Sequence, residues 1–236
     1  MFSYSQKIMG LSMEAERAVG ELTKGRSGNI RISTPGGLGP SFFSSFLPEV
    51  SKKLPEVQFH SDVSNEVRDL ATHQIDFALR ATKDHHQDTI ARYLGHVRDV
   101  ICVTPQLMKK LNLGEDPKSL SKAGSILYEN GTSWNRWTLI LGKQEVQVEV
   151  QGKHVTNTYQ AAMALCLKGL GIARFPYYVA AEEILRGNLV QLFPKYQITT
   201  HPLYLAYLKN EYPSHKHKIV KAEIINWFKG RPEYFV

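Results

Sequence analysis

Apolar positions in residues 2–24 recur at helical spacing. Ile8, Leu11, Ala15, Ala18, Val19 and Leu22 form one stripe, which predicts an amphipathic helix. Gly25-Arg26-Ser27-Gly28 then breaks it. From Asn29 the period changes. Ile30-Arg31-Ile32 reads as a strand and residues 33–41, rich in Pro and Gly, as a turn. Phe43, Phe46, Leu47, Val50 and Leu54 then mark one side of a helix that Pro48 should kink or restart. Residues 57–61 alternate as a strand. Residues 65–72 predict a short helix with Val67, Leu70 and Ala71 inward, and residues 75–79 a buried strand. The β-α-β-α-β order predicts an α/β fold with a doubly wound sheet.

The alternation resumes with a strand at 99–103, a helix near 106–111 and a strand at 126–128. Val146, Val148 and Val150 alternate in a further strand. Residues 154–176 then read as one unit. Thr156, Asn157 or Thr158 can cap a helix. Residues 161–167 are apolar on every side, which predicts a helix buried all round. Gly169 sits where a left-handed C-cap is wanted. Residues 172–175 form a strand, and Pro176 starts a helix to about Arg186, closed by Gly187, with Tyr177, Ala181, Ile184 and Leu185 inward. Strands at 189–193 and 203–208 follow. The last helix turns Val220, Ile224, Trp227 and Phe228 inward.

Composition adds little against this picture. The 236 residues suffice for one large domain or two lobes, and 42% hydrophobic with 22% charged content is ordinary for a globular chain. The net charge of +7 favours acidic partners without proving a DNA contact, since the lysines are scattered. Cys102 and Cys166 lie inside apolar runs, which fits packed thiols in a reducing compartment rather than a disulfide. No leader pattern precedes the first helix, and no apolar run reaches the ~18–20 residues a membrane span needs. The expectation is a cytoplasmic protein with no membrane partner.

Candidate chemistry concentrates at strand-to-helix junctions. Helix amino termini and Gly-, Ser-, Thr- and Asn-rich loops expose N–H groups that suit a small carboxylate or other anion. The junctions are 33–41 and 128–133, with the cap at 156–158 alongside. Arg80 ends a buried strand, where it serves an anion or a structural ion pair. His85-His86 and His215-Lys216-His217 lack a third ligand at convincing spacing, so no metal is expected. Signatures of serine hydrolases, zincins, P-loops and dinucleotide folds are absent, so neither catalytic residues nor cofactors are expected.

The order of motifs resembles one family, the LysR-type transcriptional regulators, in their effector-binding (regulatory) domain. The resemblance rests on Ser27-Gly-Asn-Ile-Arg-Ile-Ser33, Phe46-Leu-Pro48, Leu54-Pro-Glu-Val57 and Ile75-Asp-Phe-Ala-Leu-Arg80. It continues in Ile90-Ala-Arg-Tyr-Leu-Gly95, Lys168-Gly-Leu-Gly-Ile172, Phe175-Pro176 and Gly187-Asn-Leu-Val190. The ordered set covers nearly all of residues 27–210 and looks most like the branch of AphB- and CrgA-type regulators.

The resemblance implies a two-lobe, periplasmic-binding-protein-like (type 2) fold with a leading linker helix. Residues 1–26 would be a linker and oligomerisation helix, and 27–236 the effector-binding domain. Lobe I would take 28–101 plus 206–236, and lobe II 102–205. It implies a small-molecule effector held between the lobes, self-association as a dimer or tetramer, and operator DNA bound only through an N-terminal helix-turn-helix that these residues do not contain. The effector-binding positions carried over are Thr34, Pro35, Gly36, Gly37 and Leu38, then Ser64 and Asn65, then Asn130, Gly131 and Thr132. Asn157 and Thr158 would form a polar edge and Phe175 an apolar wall. Two other readings compete: a free-standing solute-binding protein of a transport system, and an enzyme on the same fold.

Overall fold

The computed structural model describes residues 26–82, 88–129, 135–198, 201–210 and 213–236. The expected helix over 2–24 and the loop Asn130–Thr132 lie outside the described residues, as do His85 and His86. The chain divides into two compact units. One holds the residues up to Pro35, Gly39–Leu94 and Leu203–Arg231; the other holds Gly36–Leu38, Gly95–Pro202 and Pro232–Val236.

The first unit is built on a five-stranded sheet. Its strands are β1 (Gly28–Thr34), β2 (Val57–Val63), β3 (Phe77–Arg80), β4 (Thr89–His96) and β13 (Pro202–Leu208), in the order β2-β1-β3-β13-β4. β1 pairs in parallel with β2 from Gly28↔Val57 to Thr34↔Val63, and with β3 at Ile32↔Phe77. Three parallel strands therefore end together at their carboxyl ends. β3 is central and buried at every residue, as its apolar run requires.

Helix α1 (Gly39–Lys53) covers this sheet, but its inner side is centred one residue from the expected stripe. Phe42, Phe46 and Val50 are buried, while Phe43 and Leu47 flank them half-buried. Pro48 does not restart the helix, which runs through it unbroken. Pro48 and Ser44 are both exposed, so water can take the Ser44 carbonyl that a proline cannot bond. The closing helix α5 (His215–Lys229) buries Val220, Ile224, Trp227 and Phe228 as the periodicity predicts.

Residues 65–72 do not form the expected helix. Side chains capture the backbone there: Ser64 Oγ accepts from the Glu66 N–H at 3.1 Å and Asp69 Oδ1 from the Thr72 N–H at 2.8 Å. Such local bonds compete with helical ones. Leu70 is buried, but Val67 and Ala71 are exposed.

The second unit contains two sheets. One is β11-β5-β10-β6-β9, from Val190–Leu192, Asp99–Val103, Ile172–Pro176, Ser125–Tyr128 and His154–Thr156. The other is β12-β7-β8, from Gln197–Ile198, Arg136–Leu141 and Gln144–Glu149. β5 is buried on both sides. Ile101 and Val103 join a core with Trp137, Leu139, Val148 and Ile172, while Val100 and Cys102 join another with Ala162, Cys166 and Phe175.

The unit also carries α2 (Pro105–Leu111), α3 (Tyr159–Leu167) and α4 (Tyr177–Leu185). α3 corrects an expectation: only Ala162 and Cys166 are buried, while Ala161, Ala164 and Leu167 are exposed. Composition alone carried no sidedness; packing against β5, β6 and β10 supplies it. Gly169 does take the left-handed conformation, at φ 72°. In α4 the buried residues are Tyr178 and Ala180, and Leu185 is 83% exposed. The strand continues through Pro176, which pairs with Asp99, so the helix starts one residue late and its inner side turns.

Candidate functional site

The first unit places Thr34 at the carboxyl end of β1, beside the start of α1. The Ser64 N–H donates to the Thr34 carbonyl and the Gly39 N–H to the Pro35 carbonyl, each at 3.0 Å. A Cβ on Gly39 would lie 2.7 Å from Val63 Cγ2 and 2.9 Å from Thr34 Oγ1, so only glycine lets the helix begin this close to the sheet. Ser33 Oγ donates to Asp62 Oδ2 at 3.0 Å, and Arg68 pairs with the other Asp62 oxygen at 3.2 Å. Thr34 is 1% exposed, and its hydroxyl has no hydrogen-bond partner among the described residues. The Ser64 hydroxyl is already engaged by Glu66, and the Asn65 residue is exposed. Arg80 donates to the Arg68 carbonyl.

In the second unit the cap question has one answer. Thr158 has extended backbone and its hydroxyl accepts from the Ala161 N–H at 3.3 Å. Thr156 Oγ1 accepts from the Thr158 N–H at 3.2 Å and holds the cap in place, while Asn157 is exposed. Tyr159, in the first turn of α3, stacks on Tyr128 at 4.0 Å between centroids and tilts onto Phe175 at 6.2 Å. Gly36 and Gly37 meet the same turn. Gln160 Nε2 donates to the Gly36 carbonyl at 2.8 Å, and a Cβ on Gly37 would lie 2.6 Å from Tyr159 Cδ2. Leu38 and Phe175 are wholly buried. The structure thus gathers Gly36, Gly37, Thr158 and Phe175 around Tyr159. Sequence reasoning missed Tyr128, Tyr159 and Gln160; their one signal was adjacency to the cap and to a strand end.

A buried charge lies in the same unit. Asp99 is 6% exposed, its Oδ1 has no partner among the described residues, and its Oδ2 lies 3.5 Å from Arg174 Nε. Burial pushes its carboxyl up to about 6, against the opposing pull of Arg174. Burial, and then the Asp99 charge, push the Tyr159 and Tyr178 hydroxyls upward, so both remain protonated donors at neutral pH. Burial, then Arg174 and His96, push the His201 imidazole down.

The cysteines are packed, as their sequence context suggests. Both are fully buried, and Cys166 Sγ donates to the Cys102 carbonyl at 3.7 Å. Burial pushes the Cys166 thiol up to about 12 and the Cys102 thiol higher still. Reactivity needs thiolate and access. Neither cysteine is therefore expected to react with a disulfide reagent in the native protein, whereas both react after denaturation. Stoichiometric release of chromophore before unfolding would contradict this. His217 is held by Ser214 Oγ at 2.6 Å and Asp76 Oδ1 at 2.9 Å. No group of three His, Cys, Asp or Glu side chains is gathered among the described residues.

Comparison with known proteins matches residues 23–228 to the model of the LysR substrate binding domain. An HTH-type transcriptional regulator of Haemophilus influenzae is 24% identical over 222 residues, covering 93% of this chain and 75% of the relative. PtxR of Pseudomonas aeruginosa, also an HTH-type transcriptional regulator, is 26% identical over 213 residues, covering 90% and 68%. Full-length AphB, a virulence activator of Vibrio cholerae, has a TM-score of 0.74 at 23% identity, covering 95% of this chain and 76% of that one. CrgA of Neisseria meningitidis gives 0.75 at 18%, covering 96% and 77%. At these identities the structures speak for the fold: the α/β, type 2 periplasmic-binding-protein-like architecture of regulatory domains. With the family model spanning most of its length, this chain belongs to the LysR substrate binding domain family.

Proposed function

We propose that the chain is the effector-sensing and oligomerising domain of a LysR-type transcriptional regulator, and that its effector is a small carboxylate or a comparable anion. The carrying observation is the Thr34 hydroxyl, buried and without a partner among the described residues at the carboxyl ends of three parallel strands. Ligands of open α/β sheets bind at such ends. A buried polar group left unpaired costs free energy that a ligand oxygen recovers. The first turn of α1 contains no acidic residue, so its N–H groups favour an anion.

Pro35, Gly36, Gly37 and Leu38, Ser64 and Asn65, Asn130, Gly131 and Thr132, and Asn157, Thr158 and Phe175 complete the proposed set of effector-binding positions. A ligand acts on the regulator only through unequal affinity for its conformations. Self-association as a dimer or tetramer belongs to the same reading, as does a cytoplasmic location; among the described residues no helix is long and apolar enough to cross a membrane. The solute-transport reading finds no support in relatives that are themselves named as transcriptional regulators.

The test is a thermal-shift and calorimetric screen of aliphatic and aromatic carboxylates on wild type and Thr34→Val. The substitution keeps the shape of the side chain and removes an oxygen that bonds nothing among the described residues, so the unfolding midpoint should hold or rise. Affinity for the effector should fall about tenfold or more, the usual worth of a hydrogen bond to a charged group. Equal affinity in the variant would remove Thr34 from the site.

A further inference from the structure

Two distant segments meet at the amino-terminal ends of β6 and β9. Lys122 closes the short 3₁₀ helix Pro117–Lys122, and Gly124, at φ 55°, turns the chain into Ser125. The second segment runs from Gln151 to His154. The Ser125 N–H donates to the Gln151 carbonyl at 2.7 Å. Gly152 lies so close that a Cβ there would stand 1.5 Å from the Ser125 carbonyl oxygen. This clamp brings Lys122, Ser125, Lys153 and His154 to one pocket of about 520 Å³.

The charges lining this pocket are positive. Its lining holds two lysines and a histidine and no Asp or Glu. Neither lysine makes an ion pair or hydrogen bond among the described residues. Ser125 is 2% exposed and its hydroxyl also lacks a partner among them. The proposed effector positions Asn157 and Thr158 follow the opposite, carboxyl end of these strands.

We infer that this pocket is a second ligand site, selective for a small phosphate-class anion. Lysines supply point charges suited to phosphate oxygens, and the Ser125 hydroxyl supplies a short-range donor. A tetrahedral dianion uses several donors at once. The volume falls within the range of small-ligand pockets, which favours a free phosphate or a phosphorylated metabolite over the backbone of a duplex.

Calorimetric titration of the full chain with inorganic phosphate, and separately with glycerol 3-phosphate, tests this, with glycerol as the uncharged control. Wild type binds one or both phosphates saturably. The double variant Lys122→Gln/Lys153→Gln loses about a hundredfold in affinity, and Ser125→Ala about threefold to tenfold. Unfolding midpoints without phosphate stay at the wild-type value, because the lysines are exposed and the hydroxyl bonds nothing among the described residues. Tighter binding of glycerol 3-phosphate than of phosphate marks a metabolite site, and the reverse marks a phosphate site. Thr34→Val retains this binding, which separates the pocket from the effector positions. The proposal is overturned if neither phosphate binds, if the lysine and serine variants bind like wild type, or if duplex DNA alone engages Lys122 and Lys153.

Discussion

Phe42→Ala destabilises the first unit by about 3–5 kcal/mol, the usual cost of deleting a fully buried aromatic side chain. Phe42 is wholly buried and is the centre of an aromatic group. It stacks on Phe46 at 4.6 Å, meets Trp227 edge-on at 5.0 Å, and lies 6.1 Å from Phe228 and 5.2 Å from Phe43. These rings join α1 to α5, whose Trp227 also donates through Nε1 to Ser45 Oγ at 3.0 Å. Alanine leaves a cavity between two helices that cannot both collapse onto it, since each is also pinned to the sheet. Urea unfolding followed by circular dichroism reads the loss. Phe42→Leu should recover part of it, because volume returns without ring geometry. A loss under about 1 kcal/mol would show that the site repacks freely.

Asp99→Asn removes a pH-dependent penalty from the second unit. In the folded chain the carboxyl titrates near 6, against an ordinary value of 3.8. Between those values the native state binds more protons than the unfolded state, so stability falls as pH rises. The penalty is absent below about pH 4, grows through pH 6 and is complete above it. The shift corresponds to roughly 3 kcal/mol at neutral pH. The difference in unfolding free energy between Asp99→Asn and wild type should therefore favour the variant increasingly from about pH 4 to 7 and then level off. Arg174, its partner, is partly exposed and can be rehydrated when the charge is removed. A difference that does not change with pH would mean that Asp99 is hydrated in solution.

Periodicity and turn residues carried much of this fold. The buried runs at β3 and β5, the inward residues of α5 and the glycine that closes α3 are properties of short windows, because strand and helix periods repeat within a few residues. The ordered set of weak motifs named the family for the same reason. Each motif marks a strand end or a helix start, and their succession encodes the alternation of elements. Where local signals misled, a longer-range contact or a side chain had outbid them. At residues 65–72 Ser64 and Asp69 bonded the backbone that a helix needed. The strand β7 went unread as an element although Arg136–Leu141 pairs residue for residue with β8.

The candidate site divides along the same line. Sequence by itself determined that Thr34 and the 156–158 cap stand at strand-to-helix junctions, because glycine, proline and capping residues announce such junctions locally. Tertiary structure alone decided how each of them is bonded and buried. Thr158, not Thr156 or Asn157, caps α3; the Thr34 hydroxyl is sealed in without a partner among the described residues; Asp99 is buried beside a partly exposed arginine. It also joined residues 122–125 to 151–154 around a basic pocket that no spacing foretold. Burial and partnership depend on sheet register and on segments far apart in the chain, and no periodicity records either.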